Sequence, residues 1–302
     1  MENILIFGES LSKMVRKRVE SVMKEDSQIH NLEGQKAAIT GGAGELCGFM
    51  AEALASRGVE VAVLDINEEA AGQKAEKIKG QGGRAIGIGA DVTGRESMEK
   101  AAEIINREFS GLHVLINGAG GNHPGATTSP EQSFFDLSPE AVQKVFNLNC
   151  LGTIVPSQVL GRLILDTVGD TEEQGNIINL SSMNAFRPLT RIPAYSAAKA
   201  AVSNFTQWLA AHMAQNYTPR IRVNAMAPGF FLTSQNYYLL IDKDSGEYTD
   251  RGRTILDHSP SGRLGKPEDL LSTLLWLLDP ASRFVTGTVV PIDGGFNSFS
   301  GV

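Results

Sequence analysis

Two residues, Tyr195 and Lys199, have the types and the spacing for acid–base chemistry. They lie four apart in a stretch rich in Ala with apolar residues at helical spacing, so on a helix their side chains rise from one face. An ammonium beside a phenol favours the phenolate and lowers the tyrosine pKa from about 10. Such a tyrosine can exchange a proton with an alcohol or a carbonyl. Ser182 follows an apolar strand-like run (176–180) and is placed to bond the same oxygen.

A Tyr and a Lys at this spacing also occur on solvated helices, so the surrounding elements decide between chemistry and surface. From Gln35 onward, short apolar runs alternate with segments of helical periodicity. The predicted strands cover 37–39, 59–64, 84–90, 114–116 and 176–180. One predicted helix follows the turn at 40–48 and ends near 57, and the others cover 68–79, 97–109 and 194–208. This alternation indicates βαβ units. It predicts a single-domain α/β fold, a Rossmann-type doubly wound parallel sheet with helices on both faces.

The segment 40–48, Thr-Gly-Gly-Ala-Gly-Glu-Leu-Cys-Gly, turns the first predicted strand into a helix. Glycines let backbone N–H groups close on a pyrophosphate, while the helix presents its positive end. Asp65 ends the second strand, where a carboxylate can accept both ribose hydroxyls of NAD. It would repel the 2′-phosphate of NADP, and no Arg or Lys in 40–48 would bind that phosphate. NAD is therefore the predicted cofactor, ahead of NADP.

Charge and composition exclude several other classes of protein. The net charge of -7 and the pI of about 5.4 argue against a nucleic-acid or anionic-membrane partner. No run of 18 apolar residues and no secretory signal pattern is visible. Cys47 and Cys150 are isolated, and the five histidines lack ligand spacing, so we expect no disulfide framework and no metal. A reduced, cytoplasmic protein is expected.

The chain divides into two regions. Residues 1–31 carry apolar side chains at helical spacing between basic ones and are predicted to form an N-terminal helical extension. Residues 32–302 are predicted to form an NAD-binding domain that also contains the substrate site. Within it, the polar stretch from Gln235 is expected to form a lid, at about 231–260, and to be the most mobile part.

With these residues in order, the chain resembles the short-chain dehydrogenase/reductase family over about 32–302. The matching pieces are Thr40-Gly41, Asp65, Asp91-Val92, Asn117 to Gly120, Asn149, Ser182, Tyr195 with Lys199, Asn224 to Gly229, and Thr233. Two departures stand out. The family's TGxxxGxG turn has glycines where this chain has Glu45 and Cys47, and the second Asn of its NNAG segment is Gly118.

Within the family, four segments are similar to the short-chain-type D-mannonate oxidoreductases. These segments are 118–124, 181–189, 227–233 and 285–302. Enzymes of that subgroup are taken to interconvert D-mannonate and D-fructuronate in hexuronate breakdown. The resemblance therefore implies an NAD-dependent oxidoreductase that acts on a sugar acid.

The resemblance also implies a catalytic set of four residues. Tyr195 would be the general acid/base, and Lys199 would lower its pKa and bond the nicotinamide ribose. Ser182 would hold the reacting oxygen, and Asn149 would support a water that relays the proton. Ser181 is the expected bystander.

The cofactor would be bound along the carboxyl edge of the predicted sheet. Asp91 and Val92 would flank the adenine, and Pro228, Gly229 and Thr233 would approach the carboxamide. The predicted cofactor-binding residues are Thr40, Gly41, Gly42, Gly44, Glu45, Leu46, Asp65, Ile66, Asp91, Val92, Asn117, Gly118, Ala119, Gly120, Tyr195, Lys199, Pro228, Gly229, Phe231 and Thr233.

A hexonate carries a carboxylate and several hydroxyls, so its pocket needs cations and polar donors. The predicted substrate-binding residues are Asn122, His123, Ser182, Asn184, Arg187, Phe230 and Gln235. Two alternatives for these residues stay open at this point. Arg187 would then form a salt bridge within its own loop, and His123 would cap a turn.

The nearly all-apolar segment 270–278 suggests a partner surface, and the family resemblance implies a homotetramer.

Three alternative functions remain open. The first is another hexonate dehydrogenase, such as a gluconate 5-dehydrogenase, and the second is a 3-oxoacyl reductase, for which Asp65 is unfavourable. The third, from a different class, is an NAD-sensing or scaffold protein without turnover, against which the intact set of four catalytic residues argues.

Overall fold

The computed structural model describes residues 32–234 and 236–301. Seven strands form one sheet, and every strand pairs in parallel with its neighbours, in the order β3-β2-β1-β4-β5-β6-β7. The strands are β1 (Lys36–Thr40), β2 (Glu60–Asp65), β3 (Ala85–Gly89), β4 (Val114–Asn117), β5 (Gly175–Leu180), β6 (Ile221–Pro228) and β7 (Val289–Ile292). This confirms the predicted doubly wound α/β class. The N-terminal extension predicted for 1–31 lies outside the described residues.

The helices follow the predicted alternation. They are α1 (Glu45–Ala55), α2 (Glu68–Gly80), α3 (Arg95–Phe109), α4 (Pro139–Phe146), α5 (Gly152–Val168), α6 (Pro193–Asn216), α7 (Tyr237–Leu240), α8 (Asp250–Asp257) and α9 (Leu271–Leu278). A π-helical turn, Asn147–Leu151, joins α4 to α5. Helix α6 runs eight residues past its predicted end at 208, because Leu209 and Met213 continue its buried face.

Both faces of the sheet are covered, as the near-continuous apolar strands require. Alternate residues of a strand point to opposite faces. Accordingly, Ile39 and Val63 pack in one core cluster with α1, α2 and α9, while Ala38 and Leu64 pack in the other with α3 and α5. The sheet is thereby held rigidly between two helical layers.

The strand order reverses between β1 and β4, which places a ligand-binding crevice at their carboxyl ends. Thr40 and Asn117, the last residues of these strands, are register partners. Each is followed by a glycine-containing loop, 41–44 after β1 and 118–121 after β4. The two loops therefore leave the sheet side by side, and this is where the site lies.

Among the described residues, one continuous helical stretch, Pro139–Val168, is long and apolar enough to cross a membrane by length and composition. Its mean hydropathy is 1.3 over the relevant window, and 44% of that window is buried. Leu160, Ile164 and Val168 of this stretch belong to a core cluster of the domain. The stretch packs as a core helix of the fold.

Candidate active site

The four predicted catalytic residues come from three neighbouring elements. Ser182 lies two residues beyond β5, Tyr195 and Lys199 lie in the first two turns of α6, and Asn149 lies in the π-helical turn before α5. Ser182, Lys199 and Asn149 are buried and Tyr195 is half-buried. The fold brings the whole set to the carboxyl edge of the sheet.

Lys199 is held in one position by the backbone of β5. Its Nζ donates to the carbonyl oxygen of Leu180 at 2.6 Å and lies 5.7 Å from the centroid of the Tyr195 ring. Burial lowers the pKa of Lys199 from 10.5 to about 8, with a smaller opposing effect from Cys47. The ammonium therefore lies beside the phenol ring, as the four-residue spacing predicted.

The prediction that the Tyr195 pKa is lowered is wrong. Burial raises the pKa of Tyr195 above 10, and a hydrogen bond with Ser182 acts in the opposite direction with a smaller effect. The ammonium of Lys199 is directed at the Leu180 carbonyl. Desolvation of the phenolate thus outweighs the attraction that the spacing suggested.

Asn149 bridges the site to the loop that follows β4. Its Nδ2 donates to the carbonyl oxygens of Gly121 (2.7 Å) and Val145 (2.8 Å), and its Oδ1 accepts from Gly121 N–H (3.2 Å). A Cβ at Gly120 would lie 2.7 Å from Asn149 Oδ1 and 3.1 Å from Lys199 Nζ. Only glycine at 120 leaves this close approach possible.

The two adjacent serines have different roles. Ser181 Oγ donates to the carbonyl oxygen of Lys199 (3.1 Å) and shares a hydrogen bond with Ser203 Oγ (2.7 Å), so it fastens β5 to α6. Ser182 Oγ accepts from Asn184 N–H at 3.3 Å, and its interaction with Tyr195 partly opposes the rise in the tyrosine pKa. Ser182 is therefore the serine that faces the tyrosine.

The glycine turn after β1 is fitted against the loop after β4. Thr40 Oγ1 accepts from Gly118 N–H (3.1 Å) and Ala119 N–H (3.2 Å). Gly41 has φ of +63°, and a Cβ there would lie 2.9 Å from Ala119 Cα. Gly44 is the N-cap of α1 and offers no side chain, so the first-turn N–H groups of α1 have no side-chain cap among the described residues. Such a helix start is suited to a phosphate.

Glu45, which replaces a family glycine, connects the turn to the other side of the crevice. Both of its carboxylate oxygens accept from Ser234 N–H at 2.9 Å. Ser234 follows β6 at the start of the predicted lid. The exposed Glu45 carboxylate therefore bonds the segment after β6 and does not cap its own helix.

Cys47 and Gly118, the two other departures from the family pattern, are in contact. A Cβ added at Gly118 would collide with Cys47 Sγ and would lie 2.8 Å from the Thr40 carbonyl oxygen. Burial raises the pKa of Cys47 to about 12, so the thiol stays protonated and serves as a small apolar group. Leu46, beside it, packs on the core.

Asp65 is placed at the carboxyl end of β2, as predicted. Its Oδ2 accepts from Ala43 N–H (3.3 Å) and its Oδ1 from Asn67 N–H (3.1 Å), which leaves acceptor capacity on both oxygens. The next side chain, Ile66, is 76% exposed and offers an apolar surface beside it.

Asp91 and Val92 follow β3 at the same edge. Asp91 Oδ1 accepts from Thr93 N–H (2.9 Å) and Thr93 Oγ1 (2.7 Å), and Val92 is buried against Gly152. Asn117 is turned inward, since its Nδ2 donates to Asn179 Oδ1 (2.8 Å). The side chain of Asn117 therefore ties β4 to β5, and only its backbone can face the crevice.

The residues after β6 form the other wall. Gly229 N–H donates to the Ile292 carbonyl oxygen (2.9 Å) beyond Pro228, and Thr233 N–H donates to Asn236 Oδ1 (2.9 Å). The Phe231 side chain is buried in the core, so only its backbone is available to a ligand. Phe230 is half-buried, with its ring 5.2 Å from that of Phe296.

Several predicted substrate-binding side chains form hydrogen bonds with other groups of the protein. Asn122 Nδ2 donates to Thr127 Oγ1 (2.8 Å), and His123 Nδ1 accepts from Gly125 N–H (3.1 Å), so the histidine does cap a turn. Arg187 Nη1 donates to the Phe299 carbonyl oxygen (3.1 Å). This bond connects the Arg187 loop to the C-terminal tail, so Arg187 does not bond within its own loop. Asn184 is buried next to Ser182. Gln235 lies outside the described residues.

Sequence reasoning did not consider two arginines, Arg191 in the loop before α6 and Arg251 in α8. Partial burial and, next, the positive charge of Arg191 hold the pKa of Arg251 below its usual value. Asn236, whose Nδ2 donates to the Phe231 carbonyl oxygen (2.7 Å), also organises the turn after β6. The sequence signal for Arg191 was its place in the same loop as Arg187. Nothing local connects it to Arg251.

This fold and site define a class of protein. The family model described as enoyl-(acyl carrier protein) reductase matches residues 46–297. Over 281 residues the chain is 48% identical to an uncharacterized oxidoreductase, UxuB, of Bacillus subtilis, covering 90% of this chain and 98% of that protein. The chain belongs to the short-chain dehydrogenase/reductase family and is an oxidoreductase of that family.

Two further proteins are similar to this chain over most of its length. A crystal structure with bound NAD, described as a candidate D-mannonate oxidoreductase from Haemophilus influenza, shares 46% identity and a TM-score of 0.84, covering 90% of this chain and 98% of that one. A 2-dehydro-3-deoxy-D-gluconate 5-dehydrogenase from Dickeya dadantii is 32% identical over 266 residues, covering 88% of this chain and 96% of that protein. Both names concern six-carbon sugar acids.

Proposed function

We propose that this protein is an NAD-dependent oxidoreductase that interconverts D-mannonate and D-fructuronate. The likeness to the NAD-bound structure described as a candidate D-mannonate oxidoreductase carries the proposal, since it spans nearly the whole of both chains. The Ser182, Tyr195 and Lys199 arrangement supplies the chemistry that such a reaction needs.

When bound, NAD would accept the hydride in oxidation, and NADH would supply it in reduction. The chain would hold its pyrophosphate at the uncapped start of α1, where Gly41 and Gly44 leave the backbone open. The free acceptor capacity of Asp65 suits the two ribose hydroxyls, and its charge disfavours a 2′-phosphate. The exposed Ile66 offers an apolar surface for the adenine.

Tyr195 would exchange the proton. In oxidation the phenolate takes the proton of the substrate hydroxyl as the hydride leaves the same carbon, and in reduction the phenol returns that proton to the carbonyl oxygen. Ser182 Oγ, whose interaction with Tyr195 opposes the rise in the tyrosine pKa, would hold the reacting oxygen. Lys199 Nζ would stabilise the phenolate and bond the nicotinamide ribose, and Asn149 would support the relay water.

Burial raises the pKa of Tyr195, and this affects both directions of the reaction. A protonated phenol at neutral pH is the form that reduction requires. Oxidation requires the phenolate, so it depends on the positive charge of Lys199 becoming available to Tyr195. Release of Nζ from the Leu180 carbonyl would supply that charge.

A second hexonate reaction is the strongest competitor. Relatives described as 2-dehydro-3-deoxy-D-gluconate 5-dehydrogenase and 5-keto-D-gluconate 5-reductase are 32% and 28% identical to this chain. These proteins would share the same tyrosine chemistry and differ in the substrate pocket. A 3-oxoacyl reductase or an NAD-sensing protein has less support, because Asp65 and the complete catalytic set are present.

The oligomeric state and the location are parts of the same proposal. Trp208 on α6, Trp276 on α9 and Phe284 expose large apolar surfaces, which a homotetramer would cover. Most other apolar residues of α9 are buried within the chain, so this helix needs a partner less than its composition suggested. A cytoplasmic location fits the two free cysteines.

The experiment is an assay of NADH or NADPH formation by purified protein with D-mannonate, D-gluconate and 2-dehydro-3-deoxy-D-gluconate. Each acid is tested with NAD and with NADP. The proposal predicts turnover of D-mannonate with NAD at a higher kcat/KM than for the other acids. Turnover of another hexonate alone would overturn the substrate assignment and keep the tyrosine chemistry.

A further inference from the structure

We propose that the C-terminal turn (293–299) fastens the end of the predicted lid segment (231–260) to the catalytic loop, with Arg187 as the positioning residue. The catalytic loop is the stretch 183–192 between Ser182 and Tyr195. This inference rests on the proposed function, in that it takes the lid segment and the catalytic loop to enclose the substrate. It assigns a group of contacts that holds these two walls together.

The C-terminal turn is a compact unit that follows β7. Asp293 Oδ1 accepts from Gly295 N–H at 3.0 Å, and its Oδ2 accepts from Asn297 N–H at 2.8 Å. The Gly295 carbonyl oxygen accepts from Ser298 N–H (3.0 Å) and from Phe299 N–H (3.1 Å). These bonds fold the turn back on itself, so its parts keep fixed positions relative to one another.

The aromatic rings of the turn pack on the lid side of the site. The centroid of the Phe296 ring lies 5.2 Å from that of Phe230 and 6.3 Å from that of His258. The centroid of the Phe299 ring lies 6.3 Å from that of the same His258. Separations of this size are those of interacting aromatic pairs. Because His258 is the C-cap of α8, the turn is attached to the carboxyl end of that helix.

Two further contacts fix this junction. His258 Nδ1 donates to the Thr254 carbonyl oxygen at 2.8 Å, so the imidazole is held against its own helix. Ser261 N–H donates to the Gly294 carbonyl oxygen at 3.0 Å. Gly294 has φ of +64°, and a Cβ there would collide with Ser261 Oγ. The close approach of the turn to the end of the lid segment therefore requires glycine at 294.

The other end of the connection is on the catalytic loop. Arg187 Nη1 donates to the Phe299 carbonyl oxygen at 3.1 Å. Arg187 N–H donates to the Met183 carbonyl oxygen at 3.0 Å, which places Arg187 at the end of the turn that starts at Ser182. Phe299 is therefore held from both walls, by its carbonyl oxygen on the loop and by its ring on the lid segment.

The lid segment is thus attached at both of its ends. At its start, Ser234 N–H donates to the Glu45 carboxylate at 2.9 Å. At its end, His258 contacts the C-terminal turn. Between these points, the stretch 242–248 is exposed throughout. Opening of the site would therefore be confined to the middle of the lid segment, while its ends keep their positions.

The same contacts define the role of Arg187. Among the described residues, its side-chain hydrogen bond goes to the turn, and it bonds neither α8 nor Tyr195. A guanidinium used in this way acts on the substrate only through the position of the lid segment. This positioning role differs from the direct substrate contact predicted from the sequence, and the two roles lead to different results.

Hydrogen exchange of the NAD-loaded protein tests the connection without substrate. The amides of Arg253 and His258 bond the carbonyl oxygens of Thr249 and Thr254 in α8. We expect Arg187→Ala to speed their exchange by roughly fivefold, which corresponds to about 1 kcal/mol, because α8 loses part of its attachment. Arg187→Lys keeps a charged donor and should restore most of the wild-type rate. Faster exchange only in the catalytic loop, with α8 unchanged, would overturn the inference.

The connection should also act in the reverse direction, because a coupling between two sites is reciprocal. His258→Ala lies outside the catalytic loop and removes the ring contacts of Phe296 and Phe299. We expect it to speed exchange of the Arg187 amide, which bonds the Met183 carbonyl oxygen. An Arg187 amide that exchanges at the wild-type rate would show that the two walls move independently, and the inference would fail.

Kinetics separate the positioning role from direct substrate binding. Arg187→Ala should raise the KM for D-mannonate by roughly threefold or more and leave kcat within about twofold, because a looser lid segment weakens ground state and transition state alike. The Kd for NAD should stay unchanged. A higher KM without any change of exchange in α8 would mean that Arg187 touches the substrate directly, against the positioning role.

Arg283→Ala is the matched control. Arg283 is exposed near the amino end of the sheet, where the nearby Val285 carbonyl oxygen bonds Arg222 at the start of β6. It should leave exchange in α8, the KM for D-mannonate and the Kd for NAD at their wild-type values.

The two measurements also separate this inference from the proposed function. If the wild type does not turn over D-mannonate but Arg187→Ala speeds exchange in α8, the proposed reaction fails and the fastening role stands. If the wild type turns over D-mannonate and exchange in α8 is unchanged in Arg187→Ala, the proposed reaction stands and the fastening role fails.

Discussion

The thiol of Cys47 occupies the space that a side chain at position 118 would need. A Cβ at Gly118 would collide with Cys47 Sγ, so a larger residue on α1 is matched by a smaller one in the loop after β4. The family pattern has the opposite arrangement, with glycine at the first position and asparagine at the second. The two departures from that pattern therefore compensate each other in volume.

This relationship predicts non-additive substitutions. Gly118→Asn alone should destabilise the protein by about 1–3 kcal/mol through overpacking and should weaken NAD binding. Cys47→Gly combined with Gly118→Asn should recover part of both losses. Recovery is partial because the Thr40 carbonyl oxygen would still lie 2.8 Å from the new Cβ.

Denaturant unfolding and NAD titration of the wild type, both single variants and the double variant give the full cycle. A coupling free energy that favours the double variant is expected. A double variant whose loss of unfolding free energy equals the sum of the two single losses would show that the two positions are independent.

Glu45 should fasten the start of the lid segment to the glycine turn. Glu45→Ala removes both acceptors of Ser234 N–H, whereas Glu45→Gln keeps one and removes the charge. We expect Glu45→Ala to speed hydrogen exchange of the Ser234 amide by roughly fivefold or more, for a loss of about 1 kcal/mol. Glu45→Gln should lie between the wild type and Glu45→Ala.

The same two variants decide how Glu45 affects the cofactor. If Glu45 fastens the lid, Glu45→Ala should release NAD faster than the wild type in a stopped-flow displacement experiment. If the carboxylate mainly repels the pyrophosphate, both variants should bind NAD more tightly and by similar factors. The second pattern would contradict the fastening role.

The buried ammonium of Lys199 should cost stability in the cofactor-free protein. The pKa of Lys199 falls from 10.5 to about 8 on folding, which corresponds to roughly 3 kcal/mol. Between pH 8 and 10.5 the unfolded chain keeps a proton that the folded one has lost, so stability rises with pH in this window.

Lys199→Met should therefore be more stable than the wild type at pH 7, and the difference should vanish above about pH 10.5. Urea unfolding across this range measures it. Lys144→Met, at an exposed position on α4, should show no such pH-dependent difference. A Lys199→Met variant less stable than the wild type at pH 7 would contradict the predicted cost.

The charge of Asp65 should set the choice between NAD and NADP. Asp65→Asn keeps an oxygen for the N–H of Ala43 or Asn67 but removes the repulsion of a 2′-phosphate. We expect the ratio of kcat/KM for NAD to that for NADP to fall by roughly tenfold, which corresponds to a difference in free energy of about 1.4 kcal/mol. An unchanged ratio would show that another residue makes the choice.

Local patterns predicted the first four strands well because each of β1 to β4 is an apolar run that ends in a polar residue or a glycine. Thr40, Asp65 and Asn117 all end strands as expected, and the spacing of Tyr195 and Lys199 placed both on α6. Short stretches of sequence are thus sufficient to predict the elements that position the site.

Contacts between distant segments could not be predicted in the same way. Glu45 bonds Ser234, 189 positions away, and Arg187 bonds Phe299, 112 positions away. The direction of the Tyr195 pKa also depends on burial by several elements, which spacing on one helix does not reveal. Pairings of this kind depend on how the loops pack after the sheet has formed.

The most direct test of the account is NADH formation from D-mannonate and NAD by the wild type and by Tyr195→Phe. The substitution removes only the hydroxyl that exchanges the proton. The account predicts that the wild type turns over and that Tyr195→Phe loses at least about a hundredfold in kcat while binding NAD as tightly as the wild type. Turnover by Tyr195→Phe at the wild-type rate would contradict the assignment of Tyr195 as the acid/base.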